Sequence, residues 1–362
     1  MRKFVIDLGF GDSGKGITTA RLVKELNADN KTWVVKFNGG AQAGHTVMIK
    51  KPDGTEISHV FSQVGSGTFF GAKTLVTSDC AIYIPSLVRE FKILKELGYV
   101  PEYATENRVM LTTPFDIDFN RKNAKMIQNG SVGMGFGATV QRTLDHYGIY
   151  MTDLNCLEGL DYKLRNIAKY YGFTDEKYIE KQIAYFMDSI DEFGELGNVS
   201  LESLDLLMED KDLNFVFESS QGTMLDQHFG FFPNVTRSNT TLQNVVKYIN
   251  VDSEIHFVSR TYTTRHGNGP LFGEHEVPIL NPYETNKSHD FQGEFRTAPL
   301  KVDQFTYALA VNLSFLKFKM GTNLNLHFTC SDIVPKSKIN PVLLNFIESA
   351  GVNCKFYDTP FV

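Results

Sequence analysis

Short apolar runs alternate along the chain with stretches whose apolar residues fall three and four apart, and this alternation predicts strands and helices in turn. The run KFVIDLG at residues 3–9 predicts a buried strand, and ITTARLVKEL the body of a helix over residues 14–26. TWVVKF (32–37) and TLVTS (74–78) predict further strands, with a helix over about 85–97 closed by Gly98, and RVMLT (108–112) a fourth strand. LDYKLRNIAKYY and YIEKQIAYFMDSIDEF carry helical spacing, so residues 155–210 read as a helical insertion. LNFVFESSQGT returns to a strand and a glycine turn. EIHFVSRTY, NLNLHFTCSD and NCKFYD predict strands, separated by the helices VDQFTYALAVNLSFLKF and PVLLNFIESAG. Strands alternating with helices imply an α/β fold: a mainly parallel central sheet with helices on both faces. Ligands of such a sheet bind at the carboxyl ends of its strands.

Composition narrows the class without naming a chemistry. The 362 residues suffice for one large α/β domain, and no repeat or low-complexity tract divides them. Hydrophobic residues make up 42% and charged residues 22%, the balance of a soluble globular protein. The net charge of −6 argues against a broad nucleic-acid-binding face. Cys80, Cys156, Cys330 and Cys354 stand too far apart for a zinc or C-x-x-C motif, which predicts a reduced, cytoplasmic setting. The apolar run at the start is too short for a signal peptide, and no stretch approaches a membrane span.

Candidate chemistry enters with GFGDSGKG (9–16), lying between the first strand and its helix. Gly9, Gly14 and Lys15 fit a phosphate loop, in which glycines let backbone N–H groups approach phosphate at a helix N-terminus. The eighth position, where a Ser or Thr hydroxyl would hold Mg²⁺, is Gly16, so another group must reach the metal; Asp12 is the candidate. GGAQAGHT (39–46) ends the second strand and brings His45 beside the loop as a charge stabiliser or acid. SSQGTMLD (219–226) and NVTRSNTT (234–241) are weak signals alone, since polar Gly/Thr/Asn loops are ordinary turns.

Taken in order, GDSGKG, GGAQAGHT, SSQGTMLD, VTRSNTT and TTRHGNGP resemble the adenylosuccinate synthetase family, whose stretches read GDEGKG, GGxNAGHT, EGAQGTLLD, VTSSNTT and STRVGAGP. The resemblance runs from about residue 3 to residue 303. It implies a ligase that joins L-aspartate to C6 of a purine 5′-monophosphate through a 6-phosphoryl intermediate. Asp12, His45 and Gln221 would be catalytic, with Mg²⁺ on Asp12 and Gly44. Gly11, Ser13, Gly14, Lys15, Gly16, Gly44 and Thr46 would hold the donor phosphates. The purine monophosphate would meet Ser13, Gln42, Asn129, Gly130, Ser131, Val132, Gln221, Leu225, Thr236 and Asn239. Thr264, Arg265, Arg296 and Thr297 would bind aspartate, and Ser331, Asp332 and Pro360 the donor base. The family is a homodimer in which an arginine crosses to the partner's monophosphate site; Arg142 lies near that position, and strict register gives His146.

The departures cluster at substrate contacts. Ser13 stands for Glu, Gln42 for Asn, Val132 for Thr and Met134 for Arg; TTGRRRRTG becomes FQGEFRTAP, and TKLD becomes TCSD. The glycines and Asp12 are kept. That pattern points to altered substrate choice, and it resembles the bacteriophage branch that uses dGMP to make N6-succino-2-amino-2′-deoxyadenylate. On this view Ser13 leaves room for the C2 amine, and loss of the lysine at Cys330–Ser331 shifts the donor from GTP toward ATP or dATP. The alternative is an ordinary family member acting on IMP with GTP. A GTPase switch would need Ser or Thr at residue 16 and an N-K-x-D base reader, and the sequence has neither.

Overall fold

The computed structural model describes residues 1–26, 31–279, 283, 284, 286, 293–316 and 321–362. Two ends of quoted stretches, residues 291–292 of FQGEFRTAP and 317–318 of the helix from 302, lie outside them. The strands are β1 (Arg2–Asp7), β2 (Thr32–Lys36), β3 (His45–Lys50), β4 (Glu56–Phe61), β5 (Lys73–Val76), β6 (Ala81–Ile82), β7 (Tyr103–Thr105), β8 (Met110–Leu111), β9 (Val199–Leu201), β10 (Asn214–Glu218), β11 (Glu254–Arg260), β12 (Tyr262–His266), β13 (Phe295–Pro299), β14 (Asn323–Thr329) and β15 (Asn353–Phe356). Nine of them form one sheet in the order β15-β14-β11-β1-β10-β2-β5-β7-β9. Every neighbouring pair in it is parallel.

The runs read as strands are apolar because both faces of this sheet are covered. In β1, Phe4 and Ile6 face one side, packed with Phe217, Phe257, Phe305, Leu309 and Leu343. Val5 faces the other, with Leu22 and Val23 of the helix Lys15–Leu26. The helices Ile84–Glu96, Leu157–Tyr170 and Glu176–Gly194 share a separate core with β3, β4 and Tyr103.

Two sequence expectations change. RVMLT supplies only Met110–Leu111, which pairs with β6 outside the main sheet. The stretch 155–210 is not wholly helical: after two long helices it returns as β9, the outer strand beside β7. A third element was unforeseen. His45 opens the antiparallel hairpin β3–β4, turned at residues 51–55, where Gly54 takes a φ of 86°.

This topology gathers the loops that matter. The turns leaving β1, β2, β10, β11 and β14 all lie at the carboxyl edge of the sheet, around its centre.

Candidate functional site

The loop between β1 and the helix Lys15–Leu26 turns through Gly11 (φ 117°) and Gly14 (φ 91°), a backbone only glycine adopts freely. It encloses a carboxylate that the sequence reading passed over. Asp7, fully buried, accepts from the N–H of Gly9 (2.6 Å) and of Ser13 (3.2 Å), the Ser13 hydroxyl (2.9 Å) and the Lys15 ammonium (3.0 Å). Lys15 also donates to the Gly11 carbonyl at 2.5 Å. The ammonium is thus fixed inside the loop by ion pairing rather than left to sample solvent.

Gly16 has a steric cause. A Cβ there would come 2.7 Å from the His45 Cβ and 3.2 Å from the Ser66 hydroxyl. The volume that a Ser or Thr would fill is occupied by the start of β3, so the loop has exchanged its hydroxyl for a histidine.

His45 is oriented by Glu218, the last residue of β10: Nδ1 lies 2.7 Å from Oε1. Glu218 also accepts from the Ser66 N–H at 3.2 Å and the Ser66 hydroxyl, and pairs with Lys36 at 3.5 Å. Burial opposes the charge on Glu218, but Lys36, His45 and these hydrogen bonds outweigh it and hold the carboxyl well below its usual range. Burial pulls His45 down to about 4 against the pull of Glu218, so near neutral pH its imidazole is uncharged. A neutral ring donating from Nδ1 to a carboxylate keeps the lone pair on Nε2.

Asp12 lies across the same cleft. Its carboxylate is 3.3 Å from Nε2 of His266, and its carbonyl accepts from Arg260 Nε at 2.5 Å. Arg260 is held in turn by Glu284 at 2.5 Å. Burial pushes the Asp12 carboxyl up, opposed by His266, Arg260 and Lys15. A carboxylate raised above its ordinary value is a better proton acceptor at neutral pH. Gln221, in a left-handed conformation (φ 56°) just past β10, backs directly onto Gly11, where a Cβ would lie 3.1 Å from the Gln221 Cα. The side-chain oxygens of Gln221 and Gln42, and Nδ1 of His266, are buried with no hydrogen-bond partner among the described residues. Buried polar atoms of that kind mark places where a polar ligand completes the site.

The cleft is lined by Gly11, Asp12, Gly14, Lys15, Gly16, Gly44, His45 and Thr46, and by Thr329, Cys330, Asp332, Thr359 and Pro360. Asp332 and Pro360 therefore share the cleft with the phosphate loop, whereas Ser331 is not among the lining residues and donates its N–H to the Tyr357 carbonyl. Ile17, Arg21, Met48, Arg260, Tyr283, Glu284 and Asn286 complete the wall. Arg21 stacks on Tyr357 at 4.1 Å and holds the carbonyls of Thr359 (3.0 Å) and Phe361 (2.9 Å), which fastens the last residues against the cleft.

Several residues singled out in the sequence are placed elsewhere or already committed. Arg142 is wholly buried: it forms a fork with Asp116 (2.7 and 2.9 Å) and donates to the carbonyls of Leu111 and Tyr147. It cannot extend to a second subunit; a buried guanidinium whose partner is a buried carboxylate is structural here. Ser13 turns inward, its hydroxyl donating to Asp7 at 2.9 Å. Ser131 donates to Asn120 at 2.9 Å, and Asn239 is used by Gln227 and Asn244. Asn129, Gly130, Ser131, Val132, Leu225, Thr236 and Asn239 are not among the cleft's lining residues. Arg265, 3% exposed, gives its three nitrogens to the carbonyls of Asn268, Pro270 and Asn234 over the ring of Phe10. Thr264 and Thr297 face each other across the β12–β13 ribbon, where the Thr297 hydroxyl is bonded to His275 and Val277. Arg296 is the more accessible arginine of that ribbon, and its guanidinium lies on Glu274.

The residues missed were Asp7, Glu218, Arg260 and His266. Two of them carried a legible signal: a carboxylate closing an apolar run, as in FVID and in FVFE, is buried charge that must be used. Among the described residues no group of three or more His, Cys, Asp or Glu side chains stands close enough to hold a metal ion. Among them, too, no helix is long and apolar enough to cross a membrane.

The family model described as adenylosuccinate synthetase matches residues 4–297. Adenylosuccinate synthetase from Wigglesworthia glossinidia brevipalpis is 27% identical over 297 residues, covering 75% of this chain and 65% of that protein. The one from Pseudomonas fluorescens SBW25 is 30% identical over 293 residues, with coverage of 75% and 65%. These matches thus span about two thirds of the relatives' length. Among solved structures, fully ligated adenylosuccinate synthetase from Plasmodium falciparum superposes with a TM-score of 0.72 at 19% identity, over 92% of this chain and 78% of that one. Succinoaminodeoxyadenylate synthetase from cyanophage S-2L, bound to dGMP and dATP as an energy donor, gives 0.67 at 16% identity, over 99% and 93%. At these identities the two superpositions speak for the fold.

Proposed function

The chain belongs to the adenylosuccinate synthetase family, and on that premise we propose that it is a carbon–nitrogen ligase joining L-aspartate to C6 of a purine nucleoside 5′-monophosphate at the expense of a nucleoside triphosphate. The observation that carries this reading is the convergence of Asp12, Lys15 and a Glu218-oriented His45 on one cleft over a phosphate loop whose hydroxyl position is filled by His45.

A ring C6=O is a poor leaving group, so the oxygen must first become a phosphate ester. Asp12 accepts the N1 proton of the 6-oxopurine, which moves electron density onto O6. O6 then attacks the γ-phosphorus, and the bond from that phosphorus to the β–γ bridging oxygen breaks, releasing the nucleoside diphosphate. Lys15 and the loop amides carry negative charge on the transferring group. His45 takes up a proton at Nε2 as the phosphate anions enter and donates from it to the oxygen on which charge accumulates, while Glu218 holds the ring through Nδ1 and balances its charge. The aspartate amine next attacks C6 and inorganic phosphate leaves with the former O6; the amine loses a proton in the process. Gln221, with a buried unpaired oxygen, suits a polar edge of the purine. Asp12 and the Gly44 carbonyl offer hard oxygen donors on the cleft wall, the sparse protein contribution suited to Mg²⁺ that is also held by phosphates. Bound there, Mg²⁺ would neutralise phosphate charge. A homodimer belongs to the same reading, with the residue that crosses to the partner being other than Arg142.

For the purine, the named relatives favour IMP with GTP as donor. A second reading, dGMP with ATP or dATP, is favoured by the superposition on the cyanophage enzyme over nearly the whole of both chains. It is favoured also by Ser331 and Cys330 where a lysine would cover guanine. The Ser13 hydroxyl donates to Asp7, so what Ser13 offers this reading is the room left by a short side chain. The test is kcat/KM for IMP, dIMP, GMP and dGMP, each with ATP and GTP and with saturating aspartate. We expect aspartate-dependent phosphate release with at least one of them. A dGMP to IMP ratio above one selects the dGMP reading and a ratio below one the IMP reading; no turnover with any purine would remove the proposal.

A further inference from the structure

We propose that Glu274 is an internal competitor for the amino-acid site: its carboxylate holds the edge of Arg296 that a substrate carboxylate would bind, and the substrate displaces it. This rests on the ligase reading, in which Arg296 receives aspartate.

The geometry is that of a substrate carboxylate supplied in cis. Arg296 Nε donates to Glu274 Oε1 at 2.7 Å and Nη2 to Oε2 at 2.5 Å, the side-by-side fork by which arginine recognises carboxylates. Nη1 is bonded to the carbonyls of Gly267 (2.6 Å) and Gly269 (3.0 Å). Those two carbonyls fix the guanidinium and aim its Nε–Nη2 edge, so a dicarboxylic amino acid can use that edge only after Glu274 leaves it. Among the described residues no neighbouring arginine offers a way round. Arg265, the cross-strand partner of Arg296, has Nε and both terminal nitrogens bonded to backbone carbonyls and is buried.

Displacement needs only a side-chain swing. The Glu274 side chain is 44% exposed, and Arg296 20%. The backbone after Glu274 is fastened independently of the pair, by His275 N–H to the Thr297 carbonyl (3.1 Å) and Val277 N–H to the Thr297 hydroxyl (2.9 Å), and the strand of Arg296 by Gly267 N–H to the Glu294 carbonyl (2.8 Å). Glu274 can therefore turn into solvent while the loop stays. A competitor tethered in this way lowers apparent affinity by the fraction of time that Arg296 is free. An exposed pair of good geometry corresponds to an occupancy that depresses affinity about two- to sixfold.

The test compares KM for aspartate, and Ki for succinate as a dicarboxylate without an amine, in wild type, Glu274→Gln, Glu274→Ala and Arg296→Gln. Both Glu274 variants are expected to lower KM and Ki by about two- to sixfold, with the change in KM rather than kcat. Arg296→Gln is expected to raise both constants. If Arg296→Gln raises them while the Glu274 variants leave them unchanged or raise them, the competitor is refuted and the aspartate site stands. If Arg296→Gln changes neither constant, the assignment of aspartate to Arg296 fails and the competitor falls with it.

Discussion

Replacement of Asp12 by Asn lowers turnover by about 10²- to 10⁴-fold, the contribution of a positioned general base. The substitution keeps the size of the side chain and one oxygen for the cleft but removes the ability to take a proton. Its backbone role survives, since Arg260 binds the carbonyl and not the carboxylate. Nucleotide binding should therefore persist, because Lys15 and the loop amides are untouched. The check is kcat with the purine and donor at saturation, together with a direct measurement of nucleotide affinity. Retention of more than about a tenth of wild-type turnover would assign the base elsewhere. Asp12 is burdened by burial and relieved first by His266 and Arg260, so its proton affinity depends on neighbours outside the loop motif as well as on Lys15 within it.

The second large effect is expected at His45. His45→Asn should reduce kcat by about 10²-fold or more while leaving purine monophosphate affinity within a few fold, because the charge it meets develops during phosphoryl transfer. Glu218→Gln should reproduce much of that loss. Without the carboxylate, nothing fixes which ring nitrogen carries the proton, and Lys36 loses a buried partner at 3.5 Å. Breaking a buried ion pair costs about 3–5 kcal/mol, so Glu218→Gln should also lower the unfolding midpoint where His45→Asn does not. If the two act as one unit, the double variant turns over no slower than the slower single variant. Independent, multiplying losses would contradict the coupling drawn from the 2.7 Å contact.

The phosphate loop was legible because its determinants are local: an apolar run, glycines at fixed offsets and a helix pattern. Asp12, Lys15, His45 and Gln221 lie on such stretches, and the structure brings all four to the phosphate loop, where the first three line the cleft and Gln221 backs onto Gly11. Asp332 and Pro360, far apart in the chain, also arrive at that cleft. What could not be read was orientation. Ser13 and Asp12 are consecutive, yet one hydroxyl is drawn inward by a carboxylate that closes the preceding strand while the next carboxylate faces the cleft. Arg142 failed for the same reason, since a sequence position does not reveal that Asp116, Leu111 and Tyr147 will absorb its donors. In the fold, β9 was hidden because three residues, two of them polar or exposed, carry too little pattern between long helices. The hairpin β3–β4 had a turn signal in PDG that was overlooked beside the glycine-rich loop before it.

The central claim is that the purine O6, and not water, receives the γ-phosphoryl group. It is tested most directly with a 6-¹⁸O-labelled purine monophosphate, accepted in the purine comparison, incubated with unlabelled triphosphate and aspartate, with the released phosphate read by mass. The account predicts one ¹⁸O atom in each inorganic phosphate formed and none retained on the purine product. Unlabelled phosphate, or phosphate released at the same rate without purine or aspartate, would contradict it and leave a nucleoside triphosphatase.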